Sequence, residues 1–203
     1  MVYLEFFVEE PSMEMVLNHL VPRILDGKDY EMVVRTFNGK MDLLNKLPNY
    51  LKPYPKFIQH NHYLFILIDR DSQDCIELKH HLEVIVKDAK LVTRTANPQH
   101  YRVVNRIVIE ELEAWYFGDV DAIKKAYPRY NPPNPAKYRN PDQITGGTCD
   151  ALGRELVYYY PKRLPKIHVA ENIAPHMNPH INQSKSFQVF RDALLALFSP
   201  KSQ

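Results

Sequence analysis

The unbroken apolar run from Tyr63 to Ile68 constrains the fold of this chain more than any other feature. A strand with one solvent-exposed face alternates apolar and polar residues, whereas the segment HYLFILID over residues 62–69 places six apolar side chains in succession. Such a strand is buried on both faces, as in a parallel sheet that helices cover on each side. The run therefore predicts an α/β protein.

Strand and helix patterns alternate from residue 2 to residue 118. The strand patterns are rich in β-branched and aromatic residues, and apolar residues recur at helical spacing after each of them. Ser12 and Ser72 are the candidate N-caps of two of these helices. This order predicts a mostly parallel sheet flanked by helices, with right-handed crossovers. The predicted strands cover 2–8, 30–37, 62–69 and 102–109. The predicted helices cover 72–89 and 110–119, another begins at Ser12, and the segment 40–51 has helical spacing up to Pro48.

The chain is predicted to have three parts. Residues 1–126 form the α/β core. Residues 127–147 are too dense in proline for a helix or a strand, so they form a long loop. Loops of this length are usually functional, and the mixture of tyrosine with Arg and Lys suits single-stranded nucleic acid, although a surface lid explains it equally well. Residues 148–203 form a helical C-terminal extension packed on the core.

Composition excludes few functions. The formal charge of +2 neither requires nor excludes a nucleic-acid partner. Cys75 and Cys149 lie far apart, which argues against a thiolate zinc site and against a disulfide framework. The N-terminus lacks the features of a signal peptide, and no apolar stretch is long enough to span a membrane. We therefore expect a cytoplasmic protein without a membrane partner.

Acidic residues follow the predicted strands at the edge where ligands of parallel sheets bind. They include Glu9 after the first strand, Asp69 and Asp71 after the third, and Glu113 after the fourth. Residues i and i+2 at a strand end point to the same side, so Asp69 and Asp71 could share a cation. Oxygen ligands favour Mg²⁺, Mn²⁺ or Ca²⁺, and two such ions could support phosphodiester cleavage. Each residue could instead be a turn former or a favourable charge at a helix N-terminus.

The acidic motifs carry a resemblance to a known family. The segments VEEPSME, LFILIDRDSQD and RIVIEELEAWYFGD, with the tail LPKIHVAENIAPHM, resemble a Toprim-like bacterial family, the domain of unknown function numbered 4276. Toprim domains are compact α/β sheets found in topoisomerases, DnaG-type primases and nucleases of the overcoming-lysogenization-defect type. Glu9 matches the glutamate of the Toprim pattern, and Asp69 and Asp71 match its Asp-x-Asp. Glu113 and Trp115 match the family's Glu-x-Trp, whereas Glu10 replaces a usual glycine.

The resemblance implies a metal-dependent nuclease or phosphoryl-transfer enzyme. Glu9, Asp69, Asp71 and Glu113 would hold one or two Mg²⁺ or Mn²⁺ ions, and Glu9 would also be the general acid or base for an attacking water. Toprim nucleases often place a basic residue near the scissile phosphate. Lys166 is our candidate for that catalytic role, with Lys185 and Arg70 as alternatives. The expected substrate is nucleic acid, DNA rather than RNA, and the expected partner is an ATPase of the AAA or ABC type in a phage-defence or toxin-like setting.

Two other functions stay open. The protein could be a non-catalytic binding or regulatory subunit of that ATPase, which the loss of an acidic ligand would favour. All four acidic residues are present in this chain. A small-molecule phosphatase on a similar sheet is the third alternative.

Overall fold

A computed structural model describes residues 1–132 and 135–199 of the chain. Strands and helices alternate through the first half, and helices follow in the second half. The strands are β1 (Val2–Val8), β2 (Tyr30–Thr36), β3 (His62–Asp69) and β4 (Val103–Val108). The helices are α1 (Pro11–Ile24), α2 (Lys40–Leu51), α3 (Cys75–Asp88), α4 (Glu113–Phe117), α5 (Val120–Ala126), α6 (Thr148–Glu155), α7 (Lys166–Ile173) and α8 (Lys185–Leu195).

The four strands form one sheet in the order β2-β1-β3-β4. The central strand β1 pairs in parallel with β2 and with β3, and Val8 at its end lies opposite Thr36 and Leu67. The carboxyl ends of these three strands therefore meet at one edge of the sheet. This arrangement confirms the predicted α/β class with a mostly parallel sheet.

The apolar run in β3 is buried throughout, from Tyr63 to Ile68. One face of the sheet contributes Leu64 and Ile66 to a hydrophobic core with the inner faces of α2 and α3. Each fully buried side chain of this size contributes about 1.5–3 kcal/mol relative to its exposed state. The core residues from the two helices are Leu43, Leu47, Leu51, Leu78, Leu82, Ile85 and Val86.

The chain divides into two compact units that are discontinuous in sequence. The first unit contains residues 1–11 and 27–107 and the described tail from Phe198, and it includes the sheet with α2 and α3. The second unit contains residues 12–26 and 108–197, so most of α1 belongs with the C-terminal helices. The boundaries of these compact units fall at other residues than 126 and 147. The predicted division into a core, a loop and a C-terminal extension stays a prediction.

Several helix boundaries differ from those predicted. Helix α3 begins at Cys75 and not at Ser72, because the Asp74 carboxylate accepts the N–H groups of Ile76 and Glu77 at 2.8 and 2.9 Å. The predicted cap Ser72 was therefore wrong. The predicted cap Ser12 was also wrong, because α1 begins at Pro11 and Ser12 lies inside the helix.

Other helices were divided or missed. The helix predicted over 110–119 begins only at Glu113 and ends at Phe117, and α5 begins at Val120 behind the cap Asp119. Helix α7 was not predicted. In the described part of 127–147 there are two short 3₁₀ helices, Pro135–Tyr138 and Pro141–Gln143.

The proline-rich segment is packed into the second unit. The Tyr138 ring is buried and stacks on Phe117, with 4.5 Å between the ring centroids. Its hydroxyl donates to Glu155 on α6. Within the described ranges, no helix is both long enough and apolar enough to cross a membrane.

Candidate functional site

The first unit has an acidic edge, which we define as Glu9, Asp69 and Asp71 at the carboxyl ends of β1 and β3. Because these two strands pair in parallel, their last residues are neighbours although 60 residues separate them. The Glu9 Oε1 atom accepts the backbone N–H of Asp69 at 2.6 Å. The predicted proximity of Glu9 and Asp69 is therefore present in the structure.

The Glu9 carboxyl group is buried and has a perturbed pKa. Only 9% of the residue is exposed. Burial raises its pKa from 4.5 to about 7, and the nearby charges of Asp71 and Glu10 act in the same direction. The Asp69 N–H and the Lys40 ammonium oppose this rise only in part. Glu9 can therefore gain or lose a proton near neutral pH.

Asp71 is placed by a turn and not by the strand. Strand β3 ends at Asp69, and Asp71 has a left-handed backbone with φ of 50°. The alternation of side chains along a strand therefore does not orient Asp71 as the sequence suggested. Its carboxylate instead forms an ion pair with Lys40, with 2.6 Å between Oδ2 and Nζ.

Lys40 is a residue of this edge that the sequence analysis did not identify. Its ammonium group also donates to the Arg70 carbonyl at 3.2 Å and to Gln73 Oε1 at 3.1 Å. Lys40 is the first residue of α2, and it follows β2 after the turn at Gly39, where φ is 91°. The sequence could have indicated Lys40, because β2 pairs in parallel with β1 and the residues just after β2 therefore lie at the same edge as Glu9.

The acidic edge has suitable donor atoms for a divalent metal but is not a preformed metal site. Carboxylate oxygens are the ligands that Mg²⁺ and Mn²⁺ prefer, and a cation would relieve the unfavourable ionisation of buried Glu9. Within residues 1–132 and 135–199, however, no three His, Cys, Asp or Glu side chains are grouped closely enough to hold an ion. Metal binding would therefore require these carboxylates to move closer together.

The second unit holds the other two predicted site residues, Glu113 and Lys166. Glu113 begins α4 and is 2% exposed. Its carboxylate accepts a hydrogen bond from the Cys149 thiol, and the charge of Lys166 acts to lower the pKa of that thiol. The neighbouring Glu111 carboxylate accepts from the Cys149 N–H at 2.7 Å and from the Thr148 hydroxyl at 3.1 Å, which holds the start of α6.

Cys149 is a protonated thiol in this setting. Burial raises its pKa to about 12, and the charges of Glu113 and Glu111 contribute, while Lys166 acts in the opposite direction. Since the thiolate and not the thiol is the nucleophile, this environment argues against covalent catalysis by Cys149.

The basic candidates occupy different places. Lys166 is half-buried at the first position of α7 and lines a cavity in the second unit. Lys185 is exposed at the start of α8. Arg70 follows β3, and its carbonyl accepts from Lys40. The proposed catalytic role of Lys166 stays a prediction.

Trp115 is a core residue, as predicted. Its ring is fully buried, stacks on Phe190 with centroids 5.2 Å apart and meets Phe187 edge-on at 5.1 Å. The indole N–H donates to Ser186 Oγ at 3.1 Å. The Glu-x-Trp motif therefore joins one candidate ligand, Glu113, to a residue that anchors α4 against α8.

Comparison with known proteins gives one family and two solved structures. The family model described as a domain of unknown function (DUF4276) matches residues 8–195. The C-terminal region of the Xanthomonas campestris pv. campestris OLD protein phased with iodine is 18% identical, covers 95% of this chain and 96% of its own, and has a TM-score of 0.47. The same region phased with mercury is 16% identical, covers 97% and 98%, and has a TM-score of 0.44. No curated protein matches the chain.

Proposed function

The chain belongs to the DUF4276 family, and we propose that it is a metal-dependent nuclease or phosphoryl-transfer enzyme that acts on nucleic acid. The observation that carries the proposal is the contact between Glu9 and Asp69 at the carboxyl edge of a parallel sheet. This is the edge at which ligands of such sheets bind. A buried carboxyl group beside further carboxylates is also typical of functional sites.

Glu9, Asp69 and Asp71 would hold one or two Mg²⁺ or Mn²⁺ ions. The assignment of Glu113 as a further ligand stays a prediction from the family's Glu-x-Trp motif. Such a cation supplies electrostatic stabilisation to phosphoryl oxygens. Among the residues of the chain, Glu9 is suited to hold and release a proton, since its pKa lies near 7. Lys40 orients Asp71 and compensates its charge.

The wider setting is also part of the proposal. The proposed substrate is DNA rather than RNA, and the proposed partner is an AAA or ABC ATPase in a phage-defence or toxin-like system. A cytoplasmic location suits the free thiols of Cys75 and Cys149. These statements rest on the family resemblance of the Glu9, Asp69 and Asp71 motifs.

The proposal is tested by titrating Mn²⁺ and Mg²⁺ into the full chain by calorimetry, then incubating the same samples with plasmid and single-stranded DNA. The test variant is Asp69→Asn/Asp71→Asn. The control is Glu31→Gln/Asp88→Asn, which removes the same charge from exposed positions of the same unit. We expect the test variant to lose metal binding and cleavage together, and the control to keep both.

Two other outcomes are informative. Metal binding without cleavage in the wild type would indicate a missing partner or another phosphate substrate. The absence of metal binding at millimolar concentration would contradict the enzymatic function. It would favour the second candidate function, a non-catalytic subunit of an ATPase. The ion pair between Lys40 and Asp71 is the observation on its side, because it compensates the charge of Asp71 without a metal.

A further inference from the structure

The second unit contains a basic cavity, which we define by the side chains of Arg154, Lys162, Arg163 and Lys166. Its volume is about 420 Å³, and Asp150 supplies the single carboxylate among its lining residues. A concave surface lined by charges of one sign concentrates their potential and attracts counter-ions. The cavity is therefore chemically suited to an anion.

Three of the four basic side chains of the cavity are available to a ligand. Arg154, Lys162 and Arg163 are exposed. Within residues 1–132 and 135–199, these three side chains form no ion pair with a carboxylate. Arg guanidinium and Lys ammonium groups are the side chains that bind phosphate oxygens most strongly.

The local sequence explains why these charges stay at the surface. Lys162 and Arg163 lie in the segment YPKRLPK between α6 and α7, where Pro161 and Pro165 prevent the backbone from continuing a helix. Leu164 is buried and anchors the segment in the second unit, while Lys162 and Arg163 are exposed to solvent. The cations are thus presented by a short, restrained connection.

An exposed aromatic ring lies close to this segment in sequence. Tyr158 is 65% exposed and precedes the lining residue Tyr160 by two positions. The Arg129 guanidinium lies over the Tyr158 ring at 4.3 Å from its centroid. The Arg129 backbone N–H also donates to the Tyr159 hydroxyl at 2.9 Å, which holds this part of the chain in place. Exposed aromatic rings beside cations are typical of surfaces on which single-stranded bases stack.

We infer that the basic cavity binds phosphate groups of a single-stranded nucleic acid, and that Tyr158 stacks on a base of the same strand. The inference deepens the proposed function, because it takes nucleic acid as the substrate and assigns its contact surface to the second unit. Phosphates are the chemistry that Arg154, Lys162 and Arg163 recognise, and the exposed ring distinguishes a strand from a free phosphate.

Fluorescence anisotropy with a labelled thymidine oligonucleotide tests this inference on the full chain. EDTA is present throughout, so that strand binding is measured without cleavage. We expect Lys162→Gln/Arg163→Gln to weaken binding roughly 10- to 30-fold at about 0.1 M salt, and to reduce the salt slope by about 1.4, since each phosphate contact on a single strand contributes about 0.7. Tyr158→Ala is expected to weaken binding at least about fivefold.

The matched control is Lys124→Gln/Lys125→Gln. It removes two exposed charges from α5 of the same unit, outside the cavity, and should leave binding within about twofold of the wild type. Equal losses in the control and the test variant would overturn the site and leave only general charge attraction. Equally tight binding of duplex DNA, or displacement of the oligonucleotide by millimolar inorganic phosphate, would overturn the assignment to a single strand.

Failure of this inference can be separated from failure of the proposed function. The Asp69→Asn/Asp71→Asn variant should bind the oligonucleotide at least as well as the wild type in EDTA, because its substitutions lie in the other unit. Strand binding that survives in a chain without metal binding would refute the enzyme and support the cavity. If the wild type cleaves DNA with metal and Lys162→Gln/Arg163→Gln still binds the strand as tightly as the wild type, the enzyme is supported and the role of the cavity is refuted.

Discussion

Glu9 is more easily protonated in the folded chain than in the unfolded chain. Burial removes water from its carboxylate, and the hydrogen bond from Asp69 together with the Lys40 ammonium does not fully replace it. A carboxyl group with a raised pKa makes folding less favourable as the pH rises, because the folded state holds on to the proton longer than the unfolded state. The effect begins near the unfolded value of 4.5 and is complete above about 7.

Glu9→Gln should therefore stabilise the metal-free protein at pH 8. The amide oxygen can still accept the Asp69 N–H, and the pKa difference between 4.5 and about 7 corresponds to a gain on the order of 3 kcal/mol. The gain should disappear below pH 4.5, where the wild-type carboxyl group is protonated in both states. Urea denaturation in EDTA across this pH range measures it. A variant that is less stable than the wild type at pH 8 would show that the ionised Glu9 is well compensated.

Helix α3 shows how a helix boundary follows from side-chain geometry. Both Ser72 and Asp74 are residues that favour the N-cap position, and the composition of the segment does not choose between them. The turn after β3 decides the choice, because Gln73 N–H donates to the Arg70 carbonyl at 3.1 Å and delays the first helical residue to Cys75. Asp74 then caps the helix with two hydrogen bonds.

Asp74→Ala should destabilise the protein by about 1 kcal/mol, which lowers the melting temperature by about 2–4 °C for a chain of this size. The control is Ser72→Ala, at an exposed position that does not cap the helix, and we expect a change within about 0.5 kcal/mol. Thermal unfolding followed by circular dichroism compares the two variants. Equal destabilisation by both substitutions would mean that the cap is not specific to Asp74.

On the scale of the whole molecule, the second unit joins two distant parts of the chain. Arg23 at the end of α1 donates to the carbonyls of Ala174 and Met177, each at 2.5 Å, and to that of Pro175 at 3.2 Å. The planar guanidinium group can satisfy several acceptors at once, whereas a lysine ammonium presents a single charged centre. Arg23 therefore connects residues 12–26 to the C-terminal helices of the same unit.

Arg23→Met should destabilise the second unit by at least about 3 kcal/mol, because the two half-buried hydrogen bonds, to Ala174 and Met177, contribute roughly 1.5–3 kcal/mol each. Arg23→Lys should lose about half as much. The single tryptophan, Trp115, belongs to this unit, so its fluorescence during urea denaturation reports the transition. Met and Lys variants that are both as stable as the wild type would show that only the apolar stem of Arg23 matters.

The sequence alone was sufficient for the fold class and for part of the candidate site. The apolar run in β3 and the alternation of strand and helix depend on burial patterns within ten to fifteen neighbouring residues, which local periodicity records. The proximity of Glu9 and Asp69 also follows, because strands that pair in parallel end at the same edge.

Only the tertiary structure decided which distant side chains compensate one another. Glu5 interrupts an apolar strand and is nevertheless buried, with Arg35 and His62 as its partners. In the same way, Lys40 pairs with Asp71 across two different connections of the sheet. These pairings depend on strand order and on turn geometry, and neither is recorded in the spacing of residues along the chain. The physical reason is that a buried charge is stable only beside a partner, and the fold determines which partner lies within reach.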